Sequence, residues 1–242
     1  MTAKFFHFLL HLSKLVFRRK PILKRMVKKM KRIRKSFVAS MCLLTAFVLW
    51  TVAICFVDVR TIGPDGSSVG FAGINGFVHN LTGVHFDLYN ITDWLGLVPI
   101  FVCMGFGILG LVQWIKRKSI CKVDYDILAL GGFYIVTIAA YLFFENVVIN
   151  YRPVLIGGYL EASYPSSTTL LVMCVMPTAI MQLGSRIRNK ALRNIVVVSI
   201  VAFIAFMVVG RLISGVHWFT DIVGGALLSA GLVMLYYSVI KK

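Results

Sequence analysis

Acidic residues are scarce in this chain: nine Asp and Glu stand against 26 Lys and Arg, and charged types make up only 14% of 242 residues. A soluble domain averages about 25% charged residues. Here 59% of the residues are hydrophobic and the mean hydropathy is +0.85. That balance excludes an ordinary soluble globule and points to a membrane protein. Cysteine is also sparse and unpatterned. Cys42, Cys55, Cys103, Cys121 and Cys174 form no C-x-x-C pair. This excludes a disulfide framework and a cysteine-built zinc site, and the thiols read as small apolar packing residues. Ser/Pro-rich linkers are missing as well, so one compact bundle accounts for the length.

What is abundant is positive charge, with a net value of +17. Its position argues against nucleic acid as a partner. Thirteen of the basic residues lie between Lys4 and Lys35, next to an apolar segment. A basic arm beside a membrane helix reads as a surface for anionic lipid head groups, here residues 14–35. The stretch "FFHFLLHL" near the start is too short to span a bilayer, and the basic run follows it, so it does not read as a signal peptide. Residues 5–35 read as one or two amphipathic helices on the inner surface, with a disordered basic tail as the alternative.

Spanning a bilayer takes roughly 20 apolar residues per helix. Segments near 37–57, 94–115, 126–144, 195–213 and 218–240 qualify. A sixth, near 166–184, contains Pro177, which membrane helices tolerate. With the basic arm inside, the loops alternate so that 23 of the 26 basic residues fall on the inner side, as the positive-inside rule requires. Only Arg60, Arg152 and Arg211 fall outside. The expected fold is therefore all-α: a polytopic membrane protein, a six-transmembrane-helix bundle with an N-terminal basic amphipathic helix. Residues 1–36 form the basic segment and 37–242 the membrane domain. The outer stretch 58–93, rich in glycine and phenylalanine, reads either as an interfacial loop shaping access to a site or as a plain surface loop.

Three outer-facing stretches carry polar groups beside apolar spans, where charge is costly and tends to be functional. They are "NYRPVL" with Arg152, "YPSSTT" with Ser166 and Ser167, and "GRLISGVHWFTD" with Arg211, His217 and Asp221. His217 and Asp221 are four apart, so on a helix they share a face. A carboxylate on one imidazole nitrogen fixes the tautomer and makes the other nitrogen more basic. That is the logic of an activated nucleophile. Arg211 can fold back across Ser214–Gly215, and a guanidinium suits phosphate oxygens. Pro165 suits a helix start, and Ser166, Ser167 and the N–H groups behind them form a ready anion site. With Arg152 added, a phosphoryl transition state is stabilised without a metal. Taken singly, each stretch has a plainer reading: an interfacial polar cluster for the third, a helix N-cap for the second. Their combination on one face lifts the chemical reading.

These residues resemble the type-2 phosphatidic acid phosphatase superfamily of membrane lipid phosphatases. That family carries Lys-x6-Arg-Pro, Pro-Ser-Gly-His and Ser-Arg-x5-His-x3-Asp in this order. Here they read "ENVVINYRP" (145–153), "PSST" (165–168) and "GRLISGVHWFTD" (210–221), within a motif-bearing region of 126–240. The resemblance implies a six-helix bundle with an extracytoplasmic site. It also implies His217 as a nucleophile forming phosphohistidine, Asp221 orienting it, and Arg152, Arg211 and Ser166 on the phosphate, whereas Ser167 is a phosphate-binding candidate from the helix start alone. No metal or cofactor is implied. The sequence departs from the pattern at four points. Glu145 stands for lysine, Thr168 for the histidine that protonates the leaving group, Ser167 for glycine and Gly210 for serine. A general acid is typically worth about 10²–10⁴ in rate, so its loss should penalise a monoester, whose alkoxide leaves poorly. A diphosphate needs little protonation on departure.

The expected substrate is thus a lipid phosphate or, by preference, a polyprenyl diphosphate such as undecaprenyl diphosphate. The expected place is a bacterial plasma membrane, with both termini cytoplasmic. Glu145, Glu161 and Thr168 are candidate substitute acids. The alternative is a weak or inactive pseudoenzyme that binds lipid phosphates or acts as an assembly partner. A transporter is disfavoured by the lack of inverted repeats.

Overall fold

The computed structural model describes residues 2–241, with side chains from residue 27 onward. Eight α-helices follow one another: α1 (Thr2–Phe56), α2 (Ala72–Thr82), α3 (Phe86–Leu95), α4 (Leu97–Arg117), α5 (Tyr125–Asn146), α6 (Ser167–Arg186), α7 (Lys190–Ile213) and α8 (Phe219–Ile240). Among the described residues there is no strand, only isolated antiparallel bridges. Among the described residues six stretches are long and apolar enough to cross a membrane, the first being Val27–Phe56 near the N-terminus. The chain is an all-α, multi-pass membrane protein. The amphipathic face expected for the basic arm falls on side chains before residue 27, outside the described residues. From Lys28 to Lys35 the basic residues are exposed.

Burial separates the spans into two classes. Half of the apolar window of α6 and 56% of that of α8 is buried, against 11–22% in the other four. These two helices form the centre. The outer four present large apolar side chains such as Leu49, Phe101, Ile108, Ile135 and Val198, which is the surface a helix shows to lipid. Lipid supplies no hydrophobic drive between helices, so close packing at small residues has to hold them together. α1 crosses α8 at Gly231, where a Cβ would lie 2.7 Å from Leu44 Cδ2, and Ser40 Oγ donates to Gly231 O at 2.8 Å. α6 meets α8 at Gly225, where a Cβ would lie 3.2 Å from both Ser166 O and Thr169 Cβ. Ser229 Oγ donates across the same contact to Leu170 O at 3.2 Å.

The stretch 58–93 is more ordered than a loop. It holds α2 and α3, and α3 runs almost straight into α4, so that one apolar stretch extends over Phe86–Arg117. Asp87 and Asp93 lower the local hydropathy and hide this continuation, which packing on α7 sustains. α2 braces the start of α8. Asn75, fully buried, accepts from Thr220 N at 3.1 Å through Oδ1 and donates to Thr220 Oγ1 at 3.0 Å and Gly70 O at 2.8 Å. One orphan N–H of that helix start is thereby satisfied.

The far end of the bundle gathers the basic loops. Asp124 and Asp126, the two acids there, tie them together. Arg117 Nη1 lies 2.8 Å from Asp124 Oδ1, and Arg186 Nη2 lies 3.2 Å from Asp126 Oδ2. The Arg117 hydrogen bond holds the Asp124 carboxyl below its usual range. Polar chemistry at the opposite end is of another kind.

Candidate functional site

Between α5 and α6 the chain makes a hairpin. Gly157 and Gly158 both have positive φ, at 59° and 86°, which tight antiparallel turns require and glycine supplies without strain. The two arms pair at Tyr151 and Ala162 and again at Ile156 and Tyr159. Arg152 N donates to Glu161 O at 3.0 Å, and Ser163 N to Asn150 O at 2.9 Å. The hairpin thus sets Arg152 beside Glu161, and their side chains form an ion pair at 3.0 Å. It also delivers Ser163 to the start of α8.

At that start stands His217, buried together with Asp221. Asp221 is the third residue of α8, and its Oδ2 accepts from Trp218 N at 2.8 Å. This carboxylate caps the helix while facing the imidazole. The direct His217 Nδ1–Asp221 Oδ2 separation is 3.8 Å, too long for a hydrogen bond. Ser163 stands between them: its Oγ lies 3.4 Å from His217 Nδ1 and donates to Asp221 Oδ2. Trp218 is anchored from the other side, donating to Tyr151 O at 2.7 Å and packing on His79.

The other imidazole nitrogen faces two guanidiniums. Arg152 Nη1 is 3.3 Å and Arg211 Nη2 3.5 Å from His217 Nε2. Neither guanidinium offers a lone pair. Nε2 is therefore the acceptor and the proton sits on Nδ1. Burial, then Arg152, then Arg211 hold His217 well below the ordinary histidine range, so it is neutral near pH 7 with its lone pair aimed at the arginines.

Two like charges packed this closely need compensation. Tyr89 of α3 supplies part of it, with the Arg211 guanidinium 4.9 Å and that of Arg152 6.0 Å from its ring centroid. Glu161 balances Arg152. Asp93 lies 3.6 Å from Arg211 Nη1, and Thr92 Oγ1 accepts from the same nitrogen at 3.4 Å. Arg211 is 1% exposed, while Asp93 is 58% exposed. Arg211 Nε is buried without a hydrogen-bond partner, while Arg152 Nε faces Glu161 Oε2 at 3.0 Å. The arrangement suits an anion with several oxygens.

The sequence-predicted residues divide accordingly. His217, Asp221, Arg152 and Arg211 come together. Ser167 lines a small pocket with His217, Ser163, Tyr141 and Glu145. Ser166 is the N-cap residue of α6 and fully buried, with its Oγ accepting from Thr169 Oγ1 at 3.1 Å within the α6–α8 contact. Thr168 turns its methyl toward the α3–α4 junction at Gly96. Glu161 is engaged with Arg152. Gly210 has a structural reason for lacking a side chain: a Cβ there would lie 2.9 Å from Thr92 Cγ2.

Sequence reasoning missed Tyr89, Thr92, Asp93 and Ser163. The first three sit in a stretch whose polar residues mask a helix. Ser163 was within reach, since Gly-Gly between two apolar runs is a hairpin signal, and that hairpin pairs Asn150 with Ser163.

Comparison with known proteins agrees with this architecture. The crystal structure of the first transmembrane PAP2 type phosphatidylglycerolphosphate phosphatase from Bacillus subtilis is similar in fold, with a TM-score of 0.59 at 16% identity. The match covers 82% of this chain and 94% of that one. No curated protein matches. The family model of the PAP2 superfamily matches residues 128–242, which contain the hairpin, α6, α7, α8 and every sequence-predicted site residue. Residues 128–242 thus match the PAP2 superfamily, the family that the three motifs resemble.

Proposed function

We propose that this protein is a membrane lipid phosphatase that removes a phosphoryl group from a lipid phosphate, preferring a polyprenyl diphosphate, through a phosphohistidine on His217. The observation that carries the reading is the convergence of Arg152 Nη1 and Arg211 Nη2 on His217 Nε2. A phosphoryl group entering there meets two guanidiniums and an unprotonated nucleophile together. The fold likeness to a phosphatidylglycerolphosphate phosphatase supports the class of reaction.

In the first step Nε2 bonds to the terminal phosphorus, and the bond from phosphorus to the bridging oxygen breaks. The electron pair leaves on the lipid monophosphate. The guanidiniums stabilise the charge on the equatorial oxygens. In the second step water bonds to phosphorus, the N–P bond breaks, the lone pair returns to Nε2, and inorganic phosphate departs with the protons of the water. No general acid is needed when the leaving group is a phosphate. That accounts for the diphosphate preference in a site with Thr168 where the family has histidine. For a monoester, Glu145 is the candidate acid best placed, since it lines the same pocket as His217. The basic loops and the arm face the cytoplasm of a bacterial plasma membrane and its anionic lipids, and the site opens on the outer side.

The test is trapping. The purified protein is mixed with terminally ³²P-labelled polyprenyl diphosphate and quenched in alkali. Acid-labile, alkali-stable label on the wild type and none on His217→Ala is expected, with turnover unaffected by EDTA. Binding of the lipid with no label would identify a lipid-phosphate binder instead. A rate on phosphatidic acid equal to that on the diphosphate would remove the preference.

A further inference from the structure

The nucleophile and its carboxylate do not touch, and the hydroxyl of Ser163 fills the gap. From this geometry we infer that Ser163 is a positioning residue, the link through which Asp221 orients His217. This rests on the reading of His217 as nucleophile and adds a residue to it.

Four observations carry the inference. His217 Nδ1 and Asp221 Oδ2 are 3.8 Å apart. Ser163 Oγ lies 3.4 Å from the first and donates to the second. A hydroxyl has one proton to give and two lone pairs, so a hydroxyl that donates to the carboxylate can only accept from Nδ1–H. The polarity is then fixed along the row, from Nδ1–H to Oγ and from Oγ–H to Oδ2, with the Nε2 lone pair left facing the arginines. Finally, Ser163 is itself held. It is buried, and its N–H is tied to Asn150 O by the hairpin ladder.

No proton has to move along this row. When Nε2 takes the phosphoryl group, the ring acquires positive charge, and the Nδ1–H bond to Oγ strengthens. Oγ is polarised in turn by the carboxylate behind it. The Asn150 side chain also faces the Asp221 carboxyl. Asp221 meets Ser163 and the Trp218 amide through the same oxygen, Oδ2. The other groups facing the imidazole are Arg152, Arg211 and, across the pocket, Glu145 and Tyr141. The Ser163 backbone also hydrogen-bonds the ring and favours its protonated form. Ser163→Ala keeps that backbone contact and removes only the hydroxyl.

The experiment compares wild type, Ser163→Ala and Ser163→Thr with a polyprenyl diphosphate, across pH. Ser163→Ala is expected to lower kcat by about 10–100-fold, the scale on which hydrogen-bond partners that orient metal-ligating histidines act, with KM changed less than about threefold. Its acidic limb should move to lower pH, because the ring loses its tie to a carboxylate. Ser163→Thr, which keeps the hydroxyl, should recover most of the rate and the original limb. Unchanged kcat in Ser163→Ala overturns the inference. So does a fall in activity with the limb unmoved and no recovery in the threonine variant, which would mark a packing role. ¹⁵N spectra of the histidine rings read the link without turnover. A wild type with Nδ1 protonated, and a titration displaced in Ser163→Ala, support it even if no lipid diphosphate is hydrolysed, an outcome that would sink the proposed function alone. Identical titrations overturn the link whatever the activity.

Discussion

Replacing Arg211 by glutamine and by lysine separates two roles of one side chain. In the structure its guanidinium lies 3.5 Å from His217 Nε2, 3.4 Å from Thr92 Oγ1 and 4.9 Å from the Tyr89 ring centroid. A phosphoryl oxygen bound there accepts a charge-assisted hydrogen bond worth about 1.5–3 kcal/mol. Stacking on Tyr89 adds about 0.5–2 kcal/mol of pre-organisation. Loss of both is about 2–5 kcal/mol, or about 30- to 5,000-fold in kcat/KM at 1.36 kcal/mol per tenfold. The pH profile carries a second signature. Arg211 is one of the charges that lower the His217 pKa. Activity requires the neutral ring, so it rises with pH through that pKa. Arg211→Gln removes a repelling charge, the pKa rises, and the acidic limb moves to higher pH. Arg211→Lys keeps the charge but loses the planar fork, so kcat/KM falls about tenfold or more while the limb stays in place. The assay is release of phosphate from polyprenyl diphosphate in mixed micelles between about pH 4 and 9. A limb that moves identically in both variants, or that moves to lower pH in the glutamine variant, would refute the placement of this charge beside His217.

Three further outcomes follow from the packing. Gly210→Ser, which restores the family's residue, should lower stability by about 1–3 kcal/mol through overpacking against Thr92. Gly210→Ser combined with Thr92→Ala should recover part of that loss in a thermal-melt double-mutant cycle, and additivity would contradict the contact. Gly215→Ala should abolish the folded protein. The residue has φ 69° and a Cβ there would collide with the Gly83 backbone, so a monodisperse variant with normal Tm would count against this backbone approach. Glu161→Gln should strengthen inhibition by inorganic phosphate by a few-fold, because the carboxylate competes for Arg152 across a half-exposed pair. Weaker inhibition would mean that Glu161 holds Arg152 in its productive pose.

Some features of this chain are one-dimensional, and the sequence by itself determined them. Span length follows from bilayer thickness, so six apolar runs of about 20 residues specify six helices wherever they pack. The spacing His217-x3-Asp221 puts both groups at one helix start. The motif order 145–153, 165–168 and 210–221 was enough to mark the resemblance to the PAP2 superfamily, whose model matches residues 128–242. The Gly157–Gly158 turn was also written locally, as two residues that tolerate positive φ.

Tertiary structure alone decided which groups meet. α3 is tied to the site by nothing in its own stretch of sequence. Only its packing on α7 carries Tyr89, Thr92 and Asp93 to Arg211, and gives a reason why residue 210 is glycine. Among the three serines near the α6 start, local sequence cannot tell which hydroxyl faces outward. Ser166 turns into the α6–α8 contact, Ser167 lines the pocket, and Ser163 is brought to His217 by the register of a hairpin. The four-residue spacing of His217 and Asp221 suggested a direct bond. It fails because His217 lies before the first turn of α8, where helical geometry does not yet hold, and the 3.8 Å it leaves is bridged by a side chain 54 residues away from the imidazole. Sequence patterns report periodicity and composition, whereas a reactive constellation depends on distances of a few tenths of an ångström between segments far apart in the chain. Those distances exist only once the helices have closed on one another.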